Sequence, residues 1–148
     1  DALRTAIHAS GASAPGTNDI TRDLWTKFIM FSGVSGVTAA ARCTIGDILD
    51  HPPLSDLIRS VIAETAALGR EKGIALPSTI EEETWATIQT LPRAMRASTA
   101  IDLEAGRPLE IEWISGAVRR LAQASGVPAP MNSALYALLL PYKDGHAR

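Results

Sequence analysis

Apolar residues along this 148-residue chain recur mostly three and four apart, the spacing of one face of an α-helix. No stretch shows the strict alternation of a half-buried strand. The first long helix opens after Asn18, Asp19 and Thr21, all good N-cap residues, and runs through Leu24 and Trp25 to Ala41 or Cys43. Gly46 suits its stop. Gly33 and Gly36 fall inside it, each costing about 1 kcal/mol against alanine, so close approach of a second helix is the expected reason for them. Asp50-His51-Pro52-Pro53 opens the next helix, since proline is tolerated in the first turn. Its buried face carries Leu54, Leu57, Ile58, Val61, Ile62 and Leu68, and Gly73 ends it. Ser78 and Glu81 have the spacing of a capping box, ahead of a stripe of Trp85, Ile88 and Leu91 that Pro92 interrupts. A turn and a short helix are expected over 92–105. Pro108 starts another helix, with Ile111, Ile114, Val118 and Leu121 facing inward and Gly126 after it. Asn132 caps the last, which carries Leu135, Leu138 and Leu139, and residues 143–148 should fray. The sum is about six helices in one all-α domain.

Composition narrows the function. Hydrophobic residues make up 46% of the chain, enough for a true core in one helical domain. The 14 basic and 16 acidic residues are interspersed and nearly balance, so no basic footprint points to nucleic acid. The longest uncharged run, 121–142, is broken by Gly126, Pro128, Pro130 and Asn132 and is not a membrane span. The run 28–41 is too short for one and reads as a buried core helix. A single cysteine, Cys43, excludes an internal disulfide and fits a reducing, cytoplasmic setting. His8, His51 and His146 are scattered, so no metal-ligand spacing exists, and no Ser-His-Asp motif is present. Neither G-x-G-x-x-G nor G-x-x-x-x-G-K-[ST] occurs, so these residues encode no dinucleotide site. Trp25, Trp85 and Trp113 lie in apolar stripes and read as core or domain-interface residues.

One ordered set of short motifs goes further. Trp25-Thr26-Lys27 stands on the first long helix. Ser98, Asp102-Leu103, Gly106-Arg107-Pro108-Leu109-Glu110-Ile111 and Gly116 follow, and Gly126-Val127-Pro128-Ala129-Pro130-Met131-Asn132 closes the set. Each motif is weak, but order and spacing together resemble the C-terminal domain of the ketopantoate reductase (2-dehydropantoate 2-reductase) family, whose members serve pantothenate biosynthesis. The resemblance implies a fold like the C-terminal domain of 6-phosphogluconate dehydrogenase. It also implies a homodimer, a 2-oxo acid substrate, and NADPH held mainly by an N-terminal nucleotide-binding domain. On this reading residues 1–18 are the remnant of that domain and its linker, and 19–148 are the substrate and dimerisation domain.

The same resemblance nominates the site. Lys27 matches the family lysine that protonates the carbonyl oxygen as hydride arrives. Its neighbours Phe28, Ile29, Met30 and Phe31 are apolar, and an ammonium kept from water gives up its proton more readily. Taken alone, such a lysine would lay its stem on apolar surface with its head in water. Glu110 matches a substrate-binding glutamate; taken alone, it is the third residue of a helix begun at Pro108, where a carboxylate suits the helix dipole. Glu104 and Glu112 are its local competitors. Ser98 matches the serine that bonds the substrate carboxylate, although Ala97-Ser98-Thr99 stands where the family usually has Ser-Ser-Met. Asp102 reads as structural. The clearest departure is Phe31, one turn beyond Lys27, where the family commonly has a substrate-contacting asparagine. Ser35, a turn further, replaces another. A phenyl ring makes no conventional hydrogen bond, so a more apolar 2-oxo acid or ketone is the alternative substrate. A helical interaction domain without chemistry is the alternative of another class.

Overall fold

The computed structural model describes residues 2–12 and 16–145. These form eight α-helices and two short 3-10 turns, with no strand among the described residues, so the all-α expectation holds with more helices than the six foreseen. The expected fraying tail is described only to Gly145, and His146 lies outside the described residues.

Helix α1 (Ala2–Ala9) buries none of its residues. Helix α2 (Ile20–Ala40) starts at Asp19, whose carboxylate accepts from the Arg22 N–H at 2.9 Å. Its first half is one-sided. Its second half, from Ser32 to Ala39, is buried all round, and it packs on α4 (Pro52–Glu71), α6 (Ser98–Ala105) and α8 (Pro130–Leu139). The two glycines permit this: a Cβ on Gly33 would meet Ile58 Cγ1 at 2.9 Å, and one on Gly36 would meet Leu135 Cδ1 at 2.8 Å. Helix α2 stops before Gly46. Arg42 adopts a left-handed φ of 51°, and the Cys43 N–H reaches the Thr38 carbonyl at 3.1 Å, closing the helix. Gly46 instead lies inside α3 (Ile45–Asp50), where its N–H donates to the Arg93 carbonyl at 2.7 Å and a Cβ would meet that carbonyl oxygen at 3.1 Å. A Thr44–Asp47 capping box starts α3.

The main core joins Ile29 and Val37 of α2 to Ile58, Val61 and Ile62 of α4, Ile88 of α5 (Ile80–Gln89) and Leu135 of α8. Helix α4 begins at Pro52 and ends before Gly73 (φ 74°), as its sequence suggests. The Ser78–Glu81 box does not form. Thr79 occupies the N-cap position, and Glu81 is drawn away into a two-bond pair with Arg70 at 2.5 and 2.6 Å. No helix begins at Pro108 either. Leu109 is extended, its N–H fixed to the Lys143 carbonyl at 2.8 Å, so helical geometry cannot propagate. A 3-10 turn follows over Glu110–Glu112, and α7 (Ser115–Ser125) comes after it. The same bond ties down Lys143, which had been expected to fray. Asn132 is not a cap but a fully buried residue within α8. The cap is Glu64 of α4, whose carboxylate accepts from the N–H groups of Met131 and Asn132 at 2.7 and 2.9 Å and from Asn132 Nδ2 at 2.8 Å. Leu121, expected to face inward, is exposed, as is Leu138 of the last helix. Trp113, at 75% exposure, is no core residue.

Candidate functional site

The connection from α5 to α6 is stapled to the hydroxyl-bearing face of α2. Thr38 Oγ1 accepts from the Ala97 N–H at 3.3 Å, Ser35 Oγ and Thr99 Oγ1 lie 2.7 Å apart, and the Ile45 N–H holds the Met95 carbonyl at 2.9 Å. Ser98 is thereby set as the first residue of α6, at an N-terminus with no side-chain cap. Between this segment, α2 and the 3-10 turn lies a cavity of about 180 Å³, room for about six waters. Met30, Phe31, Val34, Leu91 and Ile114 form its apolar walls, while Ser35, Ser98, Glu110 and Arg96 are among its polar members. Phe31, Met95, Ser98 and Glu110 are exposed, so the cavity opens to solvent.

Four of the five residues nominated by sequence, Phe31, Ser35, Ser98 and Glu110, therefore meet on one cavity. Lys27 is not in its lining. It lies in the adjoining groove with Asp23, Thr26 and Glu83, and Met30 is shared by the two hollows. Its Nζ stands 5.2 Å from the centroid of the Phe31 ring, which links it to the cavity's rim. Lys27 is exposed, so the helix does not itself shield the ammonium as its apolar neighbours suggested. Ser35 is buried, with its hydroxyl engaged by Thr99.

The competing glutamates are occupied. Glu104 pairs with Arg96 at 2.6 Å. Glu112 accepts from the Tyr136 hydroxyl at 2.6 Å and from Arg120 at 2.9 Å. The Tyr136 bond holds the Glu112 carboxyl below its ordinary range, and the same bond pushes the Tyr136 hydroxyl up. These contacts fasten the turn that presents Glu110, which has no side-chain partner among the described hydrogen bonds and ion pairs. Asp102 is held by Arg107 at 2.7 Å, as a structural role requires. Sequence reading missed Arg96, Thr99 and Thr38. Only Arg96, a charge amid Ala97, Met95 and Ala94, carried a visible signal. A larger hollow, about 810 Å³ between α4 and α5, contains none of the nominated residues and is lined in part by the mutually paired Arg70 and Glu81. No cluster suited to a metal occurs among the described residues, nor any helix long and apolar enough to cross a membrane.

The family model for the ketopantoate reductase PanE/ApbA C terminal matches residues 19–143. The chain belongs to this ketopantoate reductase family. Among its relatives is the 2-dehydropantoate 2-reductase of Pyrobaculum aerophilum, 27% identical over 137 residues, covering 93% of this chain and 49% of the relative. A solved PanE/ApbA family ketopantoate reductase from Ralstonia eutropha JMP134 superposes with a TM-score of 0.86 at 27% identity, covering 96% of this chain and 47% of the other. The fold is also that of a D-mandelate dehydrogenase solved with NADH and anilino(oxo)acetate, with a TM-score of 0.86 at 18% identity over 96% of this chain and 46% of that one. This ketopantoate reductase C-terminal region thus spans about half the length of the relatives it matches.

Proposed function

We propose that this chain is the substrate-binding and dimerisation part of an NADPH-dependent 2-oxo acid reductase, with the dinucleotide held by a nucleotide-binding domain preceding residue 19. The observation that carries the reading is the meeting of Phe31, Ser35, Ser98 and Glu110 on one open cavity, with Lys27 at its rim. A cleft open on the Lys27 side fits a nicotinamide presented from another domain. When bound, the reduced nicotinamide supplies the hydride. Ser98 and the uncapped first turn of α6 hold the substrate carboxylate. Glu110 takes a hydrogen bond from substrate and fixes its orientation. Lys27 donates its proton to the ketone oxygen, whose π electrons form the new O–H bond, and the amine regains a proton from water. The covering domain would exclude water from Lys27, which its own helix leaves exposed.

Within this class the cavity walls favour a 2-oxo acid with an apolar chain over ketopantoate. Ser35 already spends its hydroxyl on Thr99, and Phe31 offers the ketopantoate hydroxyl no partner. The test is turnover of full-length enzyme with NADPH or NADH and a panel of 2-oxo acids. Reduction of apolar-chain acids is expected, and Lys27→Ala should lower kcat about a hundredfold or more with the fold intact. An enzyme that reduces no 2-oxo acid, or a Lys27→Ala variant with wild-type turnover, would refute it.

A further inference from the structure

Arg96 enters none of the roles above. It lines the cavity beside Ser98, two residues upstream on the same stapled segment. Its two terminal nitrogens are held by Glu104, Nη1 at 2.9 Å and Nη2 at 2.6 Å. Its remaining donor, Nε–H, is buried and has no acceptor. A buried donor left unmatched is costly, and the cost is greater when the group is charged. The nearby alternatives do not serve. Cys43, whose thiol feels the Arg96 charge, is pushed up by burial and so stays neutral. Glu110 on the same cavity is an anion and repels any carboxylate entering it. An anionic ligand bound between apolar walls and Glu110 needs a fixed cation, and Arg96 is the one the lining offers.

We propose that Arg96 is the anion anchor of this cavity, its Nε–H donating to the carboxylate of the 2-oxo acid and sharing that group with Ser98. The proposal rests on the reading that the cavity takes a 2-oxo acid. Glu104 holds the two terminal nitrogens and leaves Nε–H as the guanidinium donor without a protein partner. Arg96 is then the residue that makes the site choose an acid over a neutral ketone of equal shape.

Two measurements test it, with trimethylpyruvate as the acid and its methyl ester as the uncharged counterpart. In the 148-residue chain, the Arg96 Nε–H resonance, assigned by its loss in Arg96→Lys, should move saturably on adding the acid and stay still with the ester. In full-length enzyme, Arg96→Met should lower the acid-to-ester ratio of kcat/KM by about tenfold or more, chiefly through the KM of the acid. Arg96→Lys, which keeps the charge and can still pair with Glu104, should lose less. The ester's own kcat/KM reports whether a variant is folded and competent. An unmoved resonance in the presence of bound acid, a ratio unchanged in both variants, or an equal loss on acid and ester would overturn the role of Arg96 while leaving the reductase reading intact. Absence of turnover on every 2-oxo acid would remove both.

Discussion

Phe31 stands where the cavity meets solvent, 44% exposed, with the Lys27 ammonium over its ring. A substrate hydroxyl facing this ring forfeits a hydrogen bond worth about 1–3 kcal/mol, a ten- to hundredfold penalty. Phe31→Asn should accordingly shift kcat/KM towards ketopantoate and away from trimethylpyruvate by about that factor, measured on both substrates in both enzymes. A wild type that already strongly prefers ketopantoate would show that Phe31 is only a packing residue. At this scale the sequence carried a good deal. Helical spacing alone puts residues 31 and 35 on one face, and both reach the cavity. It could not show that Ser35 is spoken for, because Thr99 lies 64 residues away along the chain. Nor could it show Arg96 as a cavity residue, since that depends on the Ala97 and Met95 backbone being pinned to Thr38 and Ile45.

Among the elements, α8 depends on a cap borrowed from α4. Glu64 satisfies two backbone donors and one side-chain donor there. Glu64→Ala should cost about 2 kcal/mol in chemical denaturation while leaving the cavity residues in place. An unchanged midpoint would mean that water caps the helix equally well. The hydrogen bond between Tyr136 and Glu112 joins α8 to the turn bearing Glu110 and sets two pH limits. Glu112 is held low, so its contribution is present above the unfolded carboxylate value and is lost as pH falls through the lower folded value. Tyr136 is pushed up, so its contribution is present below the unfolded phenol value and is lost as pH rises through the higher folded one. Tyr136→Phe should flatten the stability profile at both ends, read from unfolding midpoints across pH. Local patterns located α2 and α4 well because their apolar periodicity is long. They misplaced the caps at Ser78, Pro108 and Asn132 because Arg70, Lys143 and Glu64, all outside the helix in question, decide those ends.

For the whole molecule, Trp113, Ile101 and Leu138 leave large apolar side chains in water, at 75%, 49% and 63% exposure. Pairing of two copies is the expected assembly, twofold symmetry being the commonest closed form. Sedimentation at high micromolar concentration should show a dimer, and a monomer throughout that range would count against it. The two faces of α2 bear on how such a protein changes over time. The buried face, with Gly33 and Gly36 fitted against Ile58 and Leu135, tolerates almost no added atom. Phe31 itself borders solvent and stands outside the main core. Substitutions at the cavity mouth can therefore change what the cavity accepts at little cost to folding, while the spine of the scaffold stays constant.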